Sequence, residues 1–485
     1  MKFNFRLIVN ILGFLLLFNG IFMLLCLPVS FIYEEDDWKA LLISAAISIF
    51  TGLAAWFFTK ESRKQELRKK EGYLAVALGW IVLTLSGSLP FAISGAIPDY
   101  VDAFFETMSG YTTTGASILD DIEGLSKGII FWRSFTSFIG GMGIVVLAVA
   151  IMPILGIGGM QLYSAEAPAL MPDKIRPRIR ETAKRLWLIY VGFVVVQIVV
   201  LKMAGMGLFD AINHSFCTVS TCGFSPREDS IGYYNSPLIE YIIIVFMILG
   251  GTNFAVAYMA LQGRFKKVWR NDEFRFYLGV LAVFSCIVAA SILQNTNAGV
   301  EESIRKGLFH VVSIVTTTGF TTENYLSWGQ FTIVIFFMLM FTGACAGSTS
   351  GGVKMVRHLI LLKNTLLEFK RQLHPSAVLP VRFNNMAISQ DTTFSVLAFM
   401  MIYVIIFVIG SLVMSILGLD FDSAFGAVAS CLGNVGPGIG TVGPLDNFHH
   451  VPTAGKWVLS FYMLLGRLEL FTVIILFTPF YWKRL

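Results

Sequence analysis

Four short stretches of this chain end in glycine after small, oxygen-bearing residues: Thr112-Thr113-Thr114-Gly115, Ser220-Thr221-Cys222-Gly223, Thr316-Thr317-Thr318-Gly319 and Asn434-Val435-Gly436. A partly dehydrated cation needs oxygens to replace its hydration shell, and rings of backbone carbonyls supply them in potassium filters. Successive carbonyls turn to one side only where the backbone leaves ordinary strand geometry. Glycine permits the positive φ this requires. Threonine is stiff at χ1 and adds a hydroxyl oxygen. No turn carries a ring of Asp or Glu, which argues against a strongly binding calcium-type site. One TTTG alone is a weak sign, whereas two copies with two relatives are a strong one. The competing reading is a set of helix C-caps with glycine just past the helix end.

The elements that must position these turns follow from hydropathy. Of 485 residues, 55% are hydrophobic and only 14% are charged, where a soluble domain carries about 25% charged residues. Apolar helices are predicted at about 7–33, 39–59, 73–95, 127–155, 183–206, 237–262, 273–295, 329–362, 391–418 and 454–482. Between them lie short half-apolar segments at about 101–111, 208–219, 304–315 and 421–432, too short to span about 30 Å of hydrocarbon. A bilayer tolerates such re-entrant segments only where protein or a water-filled cavity surrounds them. Their C-terminal ends would aim partial negative charge at a common axis, which favours a cation.

The segments are copies of one another: DAFFETMSGYTTTGA (102–116), DAINHSFCTVSTCGF (210–224), KGLFHVVSIVTTTGF (306–320) and DSAFGAVASCLGNVGP (422–437), the last with one extra residue. Such internal repetition decides the architecture. The expected fold is an all-α integral membrane protein of four tandem helix–pore-loop–helix units in pseudo-fourfold symmetry around a central pore. The units occupy about 73–172, 173–272, 273–385 and 386–485, and two extra transmembrane helices precede them in 1–72. The first apolar run is longer than a signal-peptide core and lacks a small-residue cleavage site, so it reads as an uncleaved helix.

Basic clusters fall at 60–70, 174–185, 264–275, 354–382 and 483–484, and with Lys2 and Arg6 they hold most of the 36 Lys and Arg. All lie on one side if the re-entrant segments open to the other, so both termini are expected in the cytoplasm. The clusters serve as topology signal or as a docking face. The opposite side is acidic (Glu34, Glu35, Asp36, Asp37, Asp120, Asp121, Glu228 and Asp229 among others) and would concentrate cations. Cys26, Cys217, Cys222, Cys286, Cys345 and Cys431 form no CxxC pair, so neither a disulfide framework nor a zinc site is read.

Two further features bear on mechanism. Residues 343–352 hold four glycines inside an apolar run, at about 1 kcal/mol each against a helix. They serve either close helix packing or a broken helix whose loop gates a pore, with Gly343, Ala346, Gly347, Ser348, Gly351 and Gly352 as its residues. Arg467 lies mid-helix in the last apolar run, either salt-bridged to another helix or facing the pore as an electrostatic barrier. Glu469, two positions on, is a poor local partner. His214 and His310 have no metal spacing and are expected to hydrogen-bond within the re-entrant segments.

The four turns, Gly140-Gly141-Met142-Gly143, Gly250-Gly251-Thr252-Asn253-Phe254, the stretch GACAGSTSGGVKM at 343–355 and Gly466-Arg467-Leu468-Glu469 together resemble the Trk/Ktr/HKT superfamily of cation transporters over essentially the whole chain. The resemblance implies four pore units, a homodimer, potassium selectivity, an intramembrane gating loop at 343–352, and a cytosolic nucleotide-binding gating ring of the TrkA type. It implies potassium ions in the pore, no covalent cofactor, nucleotides on the partner subunit only, and no nucleic-acid partner. A serine at the first filter glycine goes with sodium permeation in that group, and here all four positions are glycine. An intramembrane enzyme would need a nucleophile with a base, or clustered His and carboxylates, and none is seen. A proton- or sodium-coupled symporter is the other transport reading, although such transporters often carry inverted repeats and these are tandem.

Overall fold

The computed structural model describes residues 4–59, 68–146 and 175–482. In hydrocarbon every backbone N–H and C=O must be satisfied within its own segment, so apolar runs of this length become helices. Among the described residues six helices are long and apolar enough to cross a membrane, or eight if each of two bent pairs counts as one span. The first two, Phe5–Leu24 and Trp38–Phe58, meet through glycines. A Cβ placed on Gly52 would fall 2.7 Å from the Gly13 carbonyl oxygen, the close approach that small residues allow between membrane helices.

The four short helices form at Tyr100–Tyr111, Leu208–Ser220, Val300–Val315 and Phe421–Gly433. The third begins four residues before the expected 304, because Glu301 and Glu302 favour its first turn through the helix dipole. Each sits between longer helices and ends in its glycine turn, so the architecture is the expected set of tandem helix–pore-loop–helix units with two helices in front.

Three expected helices are interrupted. The run predicted at 237–262 splits into Pro237–Gly250 and Phe254–Leu261, bent by 109°. The run at 454–482 splits into Thr453–Arg467 and Phe471–Phe477, bent by 113°. The run at 329–362 becomes Gln330–Leu339 and Met355–Leu373, with residues 340–354 non-helical between them. Glycine content foretells the last break. The break after Gly250 depends on tertiary partners described below. A small hairpin pairs Arg382–Phe383 with Met386–Ala387, and its Asn384-Asn385 turn has φ of 48° and 65°, the left-handed pair favoured in two-residue hairpins.

Of the basic clusters, 60–67, Lys174 and 483–484 lie outside the described residues, as does the expected helix 127–155 beyond Val146. Lys354 and Arg357 are not at a solvent-facing cluster. Both are buried. Lys354 donates to the Ser350 carbonyl, and Arg357 pairs with Glu469 at 2.6 Å.

A buried polar chain ties the front helices to the first turn. The Tyr111 hydroxyl donates to Asn19 Oδ1 (2.5 Å), and Asn19 Nδ2 donates to Ser86 Oγ (2.5 Å). Tyr111→Phe leaves the Asn19 oxygen buried without that donor, which costs about 1–3 kcal/mol. A lower melting temperature in detergent is the expected outcome, and an unchanged one counts against this chain as an anchor.

Candidate functional site: four glycine turns on one axis

Each short helix ends the same way. In the first, the Thr113 N–H donates to the Gly110 carbonyl and the Thr114 N–H to Ser109, five residues back. The equivalent long bonds run from Cys222 to Cys217, Thr318 to Ser313 and Val435 to Ser430. This is the bonding of a Schellman cap, so the C-cap reading is right about the helix ends. It is wrong about the glycine. The left-handed residue past the helix is Thr113, Thr221, Thr317 or Asn434, with φ of 51°, 57°, 57° and 53°. Such a conformation in a β-branched residue costs about 1–3 kcal/mol and persists where surroundings enforce it.

The glycine comes two residues later, and Gly115, Gly319 and Gly436 have φ of 82°, 82° and 103°. The same count sets the fourth turn in register. Ser423, thirteen residues before Gly436, stands where Asp102 stands before Gly115. The extra residue expected there lies outside the turn.

The four glycines close a ring. A Cβ on Gly115 would fall 2.5 Å from the Gly223 nitrogen, and one on Gly223 2.6 Å from the Thr318 oxygen. One on Gly319 would overlap the Val435 oxygen, and one on Gly436 would fall 2.8 Å from the Thr114 oxygen. Turn one meets two, two meets three, three meets four, and four returns to one. No side chain fits between them.

The polar groups of the turns divide cleanly. The N–H groups point back into the helices. Thr112 and Thr114 spend their hydroxyls on one another (2.8 Å), as do Thr316 and Thr318 (2.7 Å). Asn434 Nδ2 donates to Thr114 Oγ1 (2.9 Å), joining the fourth turn to the first. What remains is backbone oxygen. The carbonyls of residues 112–115, 221–223, 316–319 and 434–435 accept no hydrogen bond from a described residue, although the residues from Thr112 to Thr114, Thr316 to Thr318, and Asn434 and Val435 are buried. Buried carbonyls are normally paired, so this ring of oxygens fits a dehydrated cation as its missing partner. Threonine hydroxyls, expected to add ligands, are mostly consumed behind the turns.

Beyond the glycines opens a cavity of about 260 Å³, lined by Gly115, Gly223, Gly319 and Gly436 and by Asp120, Glu228, Asp229 and Asp446. The amide of Asn447 holds the Asp120 carboxyl below the usual carboxylate range, so the mouth keeps that charge near neutral pH.

At the other end lies the 340–354 loop. The Gly351 N–H donates to Thr317 Oγ1 (2.7 Å), and Thr349 Oγ1 donates to the carbonyls of Val219 (2.9 Å) and Gly250 (3.2 Å). The break after Gly250 receives it. Cys345 N–H donates to the Gly251 carbonyl (3.0 Å), and Phe254 N–H to the Gly347 carbonyl (3.2 Å). Gly343, Gly347 and Gly352 take positive φ, while Ala346 donates its N–H to Glu273 Oε1 (2.7 Å) and Ser348 bonds the Cys345 carbonyl (2.6 Å). The loop is a packed plug, held to the deep end of the turns. Glu273 and Thr349 were not singled out from sequence; the signal for Glu273 is an acid at the head of an apolar run.

Arg467 is the end of its helix, not the middle. Its Nη1 donates to the Thr349 carbonyl (2.6 Å) and its Nη2 to Gly140 (3.4 Å), while Nε has no partner among the described residues. No carboxylate pairs with it among the described residues; Glu469 goes to Arg357. The salt-bridge reading therefore fails, and Arg467 is a buried cation clasping the loop beneath the turns. His214 and His310 hydrogen-bond within their segments, as expected.

Arg467→Gln strands no buried acid, so folded yield should stay near wild type. A fixed charge near a narrow path repels a cation by about 4 kcal/mol at 4 Å and an effective dielectric near 20, so unitary cation current should rise. Arg467→Lys should stay close to wild type. Unchanged current in Arg467→Gln, with melting temperature lowered, assigns the residue a scaffold role instead.

Comparison with known proteins places this geometry. A family model described as TrkH, a cation transport protein, matches residues 38–484. The Trk system potassium uptake protein TrkH of Escherichia coli strain K12 is 42% identical, the alignment covering 99% of this chain and all of the relative. TrkG of the same organism, another Trk system potassium uptake protein, is 35% identical over 99% of both chains. The crystal structure of the potassium transporter TrkH from Vibrio parahaemolyticus superposes with a TM-score of 0.91 at 38% identity, covering 99% of this chain and 100% of that one. On these matches, as on its four glycine turns, the chain belongs to the TrkH family of cation transport proteins.

Proposed function

We propose that this protein carries potassium across a bacterial inner membrane through a channel-like pore whose filter is the four glycine turns. The observation that carries this is the closed ring of buried carbonyls that find no hydrogen-bond donor among the described residues. The residues of the filter are Thr112 to Gly115, Ser220 to Gly223, Thr316 to Gly319, and Asn434, Val435 and Gly436. The relatives' names as potassium uptake proteins support potassium as the ion.

The 340–354 loop and Arg467 act as the gate, since both bear on the deep end of the turns. Opening requires the Thr349 and Gly351 contacts to break together. A cytosolic nucleotide-binding ring of the TrkA type drives this from the basic side of a homodimer, with both termini cytoplasmic. The four units are taken to divide near residues 173, 273 and 386.

Purified protein in liposomes, with no imposed proton gradient, should pass potassium in preference to sodium; no flux under those conditions points to coupled uptake. Gly115→Ser, Gly223→Ser and Gly319→Ser each force a side chain into the closed ring. Each should lower the potassium-to-sodium permeability ratio about tenfold, equivalent to about 1.4 kcal/mol of discrimination. Unchanged ratios in all three would sink the carbonyl filter. Deleting residues 343–352 should raise basal flux while the ratio holds, and loss of folded protein would favour a packing role.

A further inference from the structure

One place in the repeat carries a polar side chain that the filter itself does not use. Glu106, His214 and His310 each stand nine residues before the glycine of their turn, and Ala427 holds that place in the fourth. All three polar groups reach the segment just past their own turn. His214 Nε2 lies 3.1 Å from Ser225 Oγ, and His310 Nε2 lies 3.4 Å from the Thr322 nitrogen. Glu106 accepts from the Ile118 N–H (2.9 Å) and from Ser117 Oγ (3.0 Å). In the fourth unit Tyr325 substitutes from outside, donating to the Gly438 carbonyl (2.7 Å).

Only the first of these struts is ionic. Glu106 Oε1 meets Arg133 Nε at 2.7 Å, and the two side chains are 0% and 2% exposed. Arg133 then reaches across a repeat boundary. Its Nη2 donates to Ser117 Oγ at 3.1 Å, its Nη1 donates to the Ser225 carbonyl at 3.0 Å, and its guanidinium lies 3.7 Å from the centre of the Phe224 ring. Phe224 directly follows the filter glycine Gly223. One planar fork thus holds the exits of turns one and two at a set separation, which lysine could not do. Burying such a pair rarely adds net stability, so its retention at this place points to geometry.

We propose that Glu106 and Arg133 are positioning residues that hold turns one and two apart at the width a larger alkali cation needs, so that the pair sets discrimination against sodium. The proposal rests on the potassium-filter reading. The pair carries no net charge, so its effect is one of shape rather than of field at the mouth.

The test compares Glu106→Gln/Arg133→Gln, which keeps net charge unchanged, with Glu240→Gln/Arg305→Gln. The second removes another short, buried ion pair (2.5 Å), in which Arg305 also meets Glu301 (2.9 Å) and which bonds to no residue past a turn. Reversal potentials give the potassium-to-sodium ratio, and melting temperature is read on the same preparations. The expected result is at least a fivefold fall in ratio for the 106/133 variant and no change for the 240/305 variant. A folded 106/133 variant with the wild-type ratio, or an equal fall in both variants, overturns the proposal. Should the 106/133 double variant not fold, Arg133→Lys decides: a ratio lowered about twofold or more supports the fork, and an unchanged ratio overturns it. A wild-type protein that does not discriminate overturns the filter reading itself, and this proposal with it.

Discussion

The constraint on which the rest depends is that a run of backbone carbonyls is kept inside the protein without donors among the described residues. In a bilayer, where each unsatisfied group costs several kcal/mol, that arrangement survives only around a cavity or an ion. The chain achieves it with one local device used four times. A helix is stopped by a Schellman cap whose left-handed residue is Thr113, Thr221, Thr317 or Asn434. The cap turns the N–H groups back into the helix, and the carbonyls are left facing the other way. The strain in these caps is held by neighbours: the glycines two residues on pack against the next turn so closely that no Cβ fits.

That close contact explains why the surroundings are irregular. Small residues let backbone approach backbone beneath the turns, and the helices that follow turns two, three and four break there. The 340–354 loop fills the space left, seating Gly351 on Thr317 and Thr349 on Val219 and Gly250. Lys354 and Arg467 are buried next to it and donate to loop carbonyls instead of to acids. A cation held by carbonyl dipoles keeps its full charge directed at whatever shares its cavity, whereas an ion pair would cancel it. On the proposed reading the loop would thereby be both a steric plug and an electrostatic one.

The symmetry is one of backbone, not of side chains. The same bonds recur at Ser109, Cys217, Ser313 and Ser430, yet the groups behind the turns are not the same in all four units. Paired threonine hydroxyls back turns one and three. Cys222 takes a hydrogen bond from Ser137 behind turn two (3.1 Å), and Asn434 reaches over to Thr114 from turn four. A fourfold ring of carbonyls can be built on four unequal supports because its inner face is made of backbone alone. The unequal supports leave each unit free to serve a different neighbour.

The amino-acid pattern alone determined the membrane class, the four tandem units and the positions of Gly115, Gly223, Gly319 and Gly436, because hydrophobic runs, short half-apolar segments and turn glycines are local properties. The glycines at 343–352 made a continuous helix costly and left close packing or a broken helix open, and the structure shows the break. Tertiary structure decided what local pattern cannot carry. The bend after Gly250 arises where a distant loop supplies hydrogen bonds to freed backbone groups; after Arg467 the backbone N–H groups bond locally, and it is the Arg467 side chain that reaches the loop. Arg467 looked like half of an ion pair, and its partner turned out to be a carbonyl 118 positions away. The turn hydroxyls looked like ligands, and those of Thr112 and Thr114 and of Thr316 and Thr318 bond one another instead. The register of the fourth turn was ambiguous in one dimension, and became fixed once Val435 had to reach Ser430 and Gly436 had to meet Gly115.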